Sequence, residues 1–493
     1  MDRTKSWICD ASALDLARAL DEGETTSVEI LQALVDRINE IDVPGTEISL
    51  RSVLAISSDA VEAAHRADQE RSRGDVRSRL HGVPVLIKDN IEAVGLPATA
   101  GSSALMGRPT SVDAPLVERL RDAGLVVFGS TNLSQWANMR SPRSTSGWSA
   151  VGGLTSNPYQ LDRSAGGSSS GSGAALAARL SPLAIGTETD GSITCPASLN
   201  GVSGLKPAVG AISAIGVAPI SASQDSPGPM ARSVLEVAAL YEILIGSTDV
   251  FERAARALDA ARVAVASNFT TGDPGTDELF RSVVERAGET GLVIGEITVA
   301  EADGEVDRDE LTVLVSEMAD DLTAFLSRRG GQGPSSLAQV IVHEDEHADI
   351  EQPYFGHEYL EQAVASGGRA SQAYREARAR NLEWALTKCL EPALLGVDCF
   401  IAPCYSPAWK HDLVLGGSGS ARWSQVTQAP AIAGWPIATI PMGLVHGLPV
   451  GLSIVGRPGS EATMLGVAYA FEQMLGLVGE ADLVPKFLPP QRG

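Results

Sequence analysis

The chain has 493 residues, 44% of them hydrophobic and 20% charged, with a formal net charge of -23. That is the composition of a globular protein with ample chain for a large core. The acidic balance argues against nucleic-acid or anionic-membrane partners, which demand clustered Lys and Arg, and no apolar run reaches the roughly 18 residues of a membrane helix.

The N-terminal twenty residues scatter charges and show no apolar leader segment, so no signal peptide is expected. Up to about Asp68 the chain reads as helical. Thr26 and Glu29 match a capping box, followed at helical spacing by Ile30, Leu31, Leu34 and Ile38. A second, polar helix is expected over Ser58–Arg73. The run from Gly82 to Asn90 then reads as a buried strand with Lys88 at its end. Asp113-Ala114-Pro115 is expected to start a helix that Gly124 ends, with Asp113 as N-cap. Leu125–Gly129 is another buried strand. Strand, helix, strand in that order points to an α/β sheet.

Residues 163–206 hold nine serines and eight glycines in two clusters, around Ser168 and Ser192, separated by a small-residue helix and a short apolar run. Such a stretch makes a poor core. It suits a place where backbone N–H groups approach a ligand and a hydroxyl stays reachable. Beyond it, Pro227–Met230 reads as a turn and Ser233 as the cap of a helix through Leu244. Arg262–Ala266 reads as a strand, and about 274–395 as a mostly polar, helical stretch. Strand character returns at Cys399–Pro403, Pro436–Pro441 and Val450–Val455, before a last helix over Met464–Met474. Strands from both ends bracket the helical middle. The expectation is therefore one domain over residues 1–493, with an N-terminal helical segment (1–68) and a helical insertion (about 274–395).

Five scattered cysteines (Cys9, Cys195, Cys389, Cys399 and Cys404), odd in number and without a C-x-x-C, read as free thiols in a reducing compartment, hence a cytoplasmic location. Two motifs point elsewhere but lack context. Gly167–Gly171 matches G-x-S-x-G, yet a polar loop and no strand precedes it. His343–His347 matches H-E-x-x-H, yet lies in an acidic, polar stretch. What remains is serine nucleophilic catalysis without histidine. A serine hydroxyl is weak without a base, and a lysine serves as one when burial keeps it neutral. Lys88, at the end of an apolar strand, is placed for that desolvation.

Gly166–Ser172, Gly186–Ile193 and Gly204-Leu205-Lys206-Pro207, together with Val83–Asn90, Asn132–Ala137, Gln224–Met230 and Pro353–Gly356, resemble the amidase signature family in order and spacing over nearly the whole chain. Within it, the wording from Thr189 to Pro196 is closest to bacterial peptide amidases, which hydrolyse the C-terminal carboxamide of peptides. Many relatives carry Gly where this chain has Asp190, and often Glu where it has Gln135. The resemblance implies a large mixed β-sheet covered by helices on both sides. It implies Ser192 as nucleophile, Ser168 as a bridging serine after a cis peptide bond, Lys88 as base and Ser169 in support. The backbone N–H groups of Thr189, Asp190, Gly191 and Ser192 would hold the oxyanion. No cofactor and no metal is implied. The substrate would be a peptide or small-molecule amide, and the protein a monomer or homodimer. A small aliphatic or aryl amide amidase, and the glutaminase subunit of a tRNA-dependent amidotransferase, stay open as alternatives.

Overall fold

The computed structural model describes residues 3–107, 110–256, 261–329, 333–415, 421–477 and 483–490. Thirteen strands are formed among them: β1 (Val53–Ile56), β2 (Pro84–Lys88), β3 (Val126–Thr131), β4 (Trp148–Ser149), β5 (Gly153–Leu154), β6 (Leu183–Glu188), β7 (Ser203–Lys206), β8 (Ser226–Ala231), β9 (Val263–Ala266), β10 (Gly295–Ile297), β11 (Cys399–Pro403), β12 (Ile437–Val445) and β13 (Leu448–Gly456). β4 and β5 form a separate ribbon. The other eleven make one sheet in the order β1-β3-β2-β6-β8-β7-β12-β13-β11-β9-β10. It is mixed: β3, β2 and β6 run parallel, as do β11, β9 and β10, whereas β6-β8-β7-β12-β13-β11 are antiparallel neighbours.

Both faces of this sheet are covered, and the period of a strand shows it. Val263 and Val265 of β9 and Cys399 and Ile401 of β11 join one core, while the alternating Ala264, Ala266, Phe400 and Ala402 join another. The first core takes Leu16, Leu34, Leu120, Leu240 and Phe471 from the helices Ala13–Glu22, Ser27–Ile41, Pro115–Asp122, Val234–Ile245 and Glu461–Leu475. The second takes Ala385 and Leu390 from Glu383–Leu390 and Ile432 from Gln428–Ala433. A third cluster, with Met318, Leu322, Val340 and Leu360, packs the helices of the 304–365 region against Trp136, just after β3. The architecture is thus a single-domain α/β fold, a large mixed sheet between helical layers.

Local chemistry explains most boundaries. Thr26 and Glu29 do form a reciprocal capping box, and Ser233 caps its helix through Glu236 N. Three expectations need correction. Pro227–Met230 is no turn: it lies inside β8, between β6 and β7. Of β8, β7 pairs only with Met230 and Ala231, so both prolines fall where that ladder has ended and a missing N–H costs nothing there. Asp113 is not the N-cap of the Pro115–Asp122 helix. Ala114 is, while the Asp113 carboxylate accepts from Val94 N at 2.7 Å and pairs with Arg121. And the first 68 residues are not all helical, because β1 lies among them as an edge strand. Its four residues, three half-buried and one exposed, carry too little pattern to be read as one.

Candidate active site

β2 and β6 are parallel neighbours, so their C-terminal ends, Lys88 and Thr187–Glu188, arrive side by side. Lys88 is fully buried, and its Nζ donates to Thr187 Oγ1 (2.8 Å) and Thr187 O (3.2 Å) and lies within hydrogen-bond distance of Ser168 Oγ (2.8 Å). Burial pushes its ammonium down to about 7, against the pull of the Asp225 and Glu188 carboxylates. Asn90, two residues on, donates to the same Thr187 hydroxyl at 3.0 Å. Asp89 between them is fixed by Thr99 N at 2.9 Å and the Thr99 hydroxyl.

The Gly167–Ser168 peptide bond is cis. Ser168 O accepts from Ser134 N at 3.1 Å, and a Cβ on Gly167 would collide with Ser134 Oγ, so only glycine lets this turn lie against the segment after β3. Ser169, fully buried, links the two serine clusters. Its N–H donates to Ser192 O (3.1 Å), its Oγ donates to Thr187 O (3.0 Å) and accepts from Thr187 N (3.2 Å).

After β6 the chain arches through Thr189–Ser192 into the helix Thr194–Asn200. Two groups pin this arch. Glu188 accepts from Ile193 N (2.6 Å) and Thr194 N (2.8 Å), and the Thr189 hydroxyl donates to Asp225 Oδ1 at 2.6 Å. Burial lifts the Asp225 carboxyl to about 6. Among the described residues, the N–H groups of Asp190, Gly191 and Ser192 donate to no protein acceptor. Gly191 has φ +76, and a Cβ there would stand 2.7 Å from the Tyr405 hydroxyl. The glycine is therefore required by its left-handed backbone and by Tyr405, not only by room for a ligand.

Gly167, Asp190, Ser192 and Cys195 line one cavity of about 270 Å³, together with Tyr405, Trp409 and Trp423 and with Ala137–Met139, Ile220 and Leu314. Trp435 is not in this wall; it packs against the second core. Behind Asp190 lies an acid group the sequence did not single out. Glu310 accepts from Gln224 (2.9 Å) and Gln428 (3.0 Å), and burial together with the Asp190 charge raises it to about 8. Thr187, Glu188, Asp225 and Tyr405 were also not singled out. The first three lie inside recognisable motifs, but Thr187 and Asp225 meet their partners in the site 18 to 99 positions away, which local spacing does not disclose.

The His343–His347 stretch has another use. Glu344, fully buried, accepts from Trp136 Nε1 (2.7 Å), Gln135 Nε2 (3.0 Å), Ser102 Oγ (3.1 Å) and His357 Nδ1 (3.1 Å). Burial works against its charge, but the His357 hydrogen bond and Arg140 outweigh it and hold the carboxyl below its ordinary value. Glu351 accepts from Gln135 (2.6 Å) and Ser103 N (2.7 Å), with Arg140 at 3.5 Å. His343 and His347 stack on each other at 4.2 Å. Among the described residues no group of three or more His, Cys, Asp or Glu is arranged to hold a metal, and no helix is long and apolar enough to cross a membrane.

The Amidase family model matches residues 29–465. The chain is 33% identical to a probable amidase of Arabidopsis thaliana, covering 94% of this chain and 90% of that protein. It is 31% identical to a glutamyl-tRNA(Gln) amidotransferase subunit of Symbiobacterium thermophilum, covering 94% and 96%. The solved structure of the native peptide amidase from Stenotrophomonas maltophilia superimposes with a TM-score of 0.88 at 38% identity, over 97% of this chain and 99% of that one. Matched by the family model over most of its length and by full-length relatives above 30% identity, the chain belongs to the amidase signature family and is an amidohydrolase.

Proposed function

We propose that this enzyme hydrolyses the C-terminal carboxamide of peptides, releasing ammonia through an acyl-enzyme on Ser192. The observation that carries the reading is the contact of 2.8 Å between Lys88 Nζ and Ser168 Oγ in a fully buried setting. A neutral amine has two N–H bonds and one lone pair. Thr187 offers two acceptors, O and Oγ1, which take both N–H bonds and leave the lone pair for the Ser168 hydroxyl. Lys88 then takes the Ser168 proton as Ser168 takes that of Ser192. Ser192 Oγ adds to the amide carbon, and the carbonyl electron pair moves onto oxygen. The unpaired N–H groups of the arch, Asp190, Gly191 and Ser192, with Thr189 beside them, stabilise that oxyanion; each such donor is worth roughly 3–4 kcal/mol. The relay runs in reverse, Lys88 reprotonating Ser168 as Ser168 gives its proton to the nitrogen; the C–N bond breaks, the carbonyl re-forms and ammonia leaves. Water then adds to the ester carbon and Ser192 departs as its hydroxyl.

The substrate class is supported by the likeness to the solved peptide amidase and by the Thr189–Pro196 wording. A second reading, a glutaminase subunit that hands ammonia to a partner, is favoured by the likeness to the amidotransferase relative. Ammonia release by the isolated chain decides. Turnover of C-terminally amidated peptides without ATP or a partner, well above that of glutamine and of small alkyl or aryl amides, is expected. Activity on glutamine alone, or none without a partner, would refute the peptide reading. Ser192→Ala should abolish turnover and leave the far-UV spectrum unchanged.

A further inference from the structure

The loop Ile220–Asp225 is bonded on one side to the arch that carries Ser192 and on the other to one long helix, Gly304–Arg328. Glu310, Leu314, Glu317 and Asp321 follow one another along that helix at spacings of four, three and four, so they share a face. Four consecutive loop residues donate to the three carboxylates of this face. Ser221 Oγ (2.7 Å) and Ser223 N (3.0 Å) donate to Glu317 Oε2, Ala222 N to Asp321 (2.9 Å) and Gln224 Nε2 to Glu310 (2.9 Å). The next residue, Asp225, accepts from Ile220 N (2.8 Å) and Ser221 N (2.9 Å) on one oxygen and from the Thr189 hydroxyl (2.6 Å) on the other. The path from the helix to Thr189 is hydrogen-bonded at every step, and Ser192 stands three residues further along the arch. Glu317 is the hub of it. It is fully buried, and its other oxygen accepts from the Tyr374 hydroxyl at 2.7 Å, with Arg369 at 3.3 Å. Burial works against its charge, but the Ser221 hydrogen bond, with those of Tyr374 and Ser223 and the Arg369 charge, outweighs it and holds the carboxyl below its ordinary value.

We propose that Glu317 is a positioning residue for the oxyanion arch, acting through Ser221, Ser223 and Asp225 on Thr189. This rests on the reading above that Ser192 attacks and the arch holds the oxyanion, and it says what holds the arch. Residues 221–224 belong to no strand or helix, so no ladder fixes them; the helix carboxylates do. Thr189 has a single side-chain oxygen, and Asp225 is its partner. A loop displaced from the helix takes Asp225 and then Thr189 with it, and the N–H groups next in the chain move off the developing charge. Such donors act through their placement, so a shift of about 1 Å is worth up to a hundredfold in rate. Ile220 at the start of the loop and Leu314 on the helix also line the cavity with Ser192. The two elements that set the arch therefore also supply part of the wall that the substrate meets.

The test joins ammonia release from N-acetyl-leucinamide to inhibition by N-acetyl-leucinal and N-acetyl-leucinol. Ser192 Oγ adds to the aldehyde and the carbonyl electron pair moves onto oxygen, so the aldehyde needs the arch; the alcohol does not. Glu317→Ala should lower kcat about 10- to 100-fold with KM nearly unchanged. The Ki of the aldehyde should rise by the same factor while that of the alcohol stays. Glu317→Gln keeps an oxygen for Ser221 and Ser223 and should recover most of the loss. Ser221→Ala removes one hydroxyl at the far end of the same bond and spares the fold should Glu317→Ala not. It should shift kcat and the aldehyde Ki together by about 3- to 10-fold. A loss carried by KM, or a loss of kcat that leaves the aldehyde Ki where it was, overturns the inference, as does wild-type kcat in Ser221→Ala. A wild-type enzyme that binds the aldehyde no better than the alcohol overturns the Ser192 reading itself, and the inference with it.

Discussion

Replacing Lys88 by Met should abolish activity and make the protein more stable. Lys88 is wholly buried and held near 7 instead of its ordinary 10.5. Between those values the unfolded chain binds a proton that the folded chain does not, so stability rises with pH through that window. At pH 7.5 the difference is about 3 pH units, or roughly 4 kcal/mol of folding free energy forgone to keep the amine neutral. Met fills a similar volume without charge, but leaves the Ser168 hydroxyl without its acceptor and the two Thr187 oxygens short of a donor, which returns about 1–3 kcal/mol. The net gain at pH 7.5 is then about 1–3 kcal/mol. The lost hydrogen bonds do not titrate, whereas the charge does. The gap between variant and wild type should therefore shift against the variant by roughly 3–4 kcal/mol from pH 7 to pH 10.5. Urea unfolding of both proteins across that range measures it. A difference that stays flat with pH would mean that Lys88 is charged in the fold, and the relay would lose its base.

Other expectations follow from the same geometry. In the pH profile of kcat/KM, a neutral Lys88 gives a rate that rises about tenfold per pH unit below about 7 and levels above it; a profile falling over that range contradicts the base assignment. Gly191→Ala puts a Cβ 2.7 Å from the Tyr405 hydroxyl at φ +76. It should lower kcat by one to two orders of magnitude, about 1–3 kcal/mol of strain at the arch. Tyr405→Phe in the same chain should restore part of it, and a double-mutant cycle showing no coupling would refute the contact. Gln135→Glu brings a third carboxylate to Glu344 and Glu351, and should cost about 2–4 kcal/mol at pH 7 in a denaturation midpoint. The new carboxyl would have a raised pKa, so the cost should shrink as pH falls towards 5.

How far the sequence discloses this molecule depends on the range over which each feature is encoded. Helices whose ends carry their own chemistry, such as Thr26 with Glu29 or Ser233 with Glu236, are local and readable. Long central strands such as β12 and β13 are readable because every residue has apolar neighbours on both faces. β1 and β10 are short edges with one paired side, and β8 hides behind two prolines that are tolerated only because β7 is brief. The site divides in the same way. The glycines and serines of 166–172 and 189–192 are contiguous, so their motifs stand out. The groups that tune them do not: Thr187 meets Lys88 across 99 positions, and Asp225 meets Thr189 across 36. Its apolar strand makes Lys88 a candidate base, but only the resemblance to a family pairs it with Ser168, because the strand alone does not distinguish it from a lysine that merely ends one.

Gln135 shows what such long-range pairing does for a pocket. Its amide N–H groups bridge Glu344 and Glu351, and its Oε1 accepts from Ala150 N at 3.0 Å. An amide both donates and accepts, so it joins two carboxylates to a backbone N–H; a carboxylate in its place could do only one of these without a proton. Burial would make the two glutamates expensive, but Arg140 and His357 offset their charge, and His357 is in turn held above its ordinary value by the Glu344 hydrogen bond, against the effect of burial. The residues next in the chain, Ala137–Met139, line the cavity together with Tyr405 and Trp423. The helices that carry Glu344 and Glu351 thereby fix one side of the substrate cavity without entering it. Loosening this cluster should act first on KM for extended substrates and leave the Lys88–Ser168 contact in place. His357→Gln tests that directly, because it keeps a donor to Glu344 while removing the charge. Its KM for amidated peptides should rise with kcat nearly unchanged, and a fall in kcat at constant KM would place the cluster in the chemistry instead of the pocket.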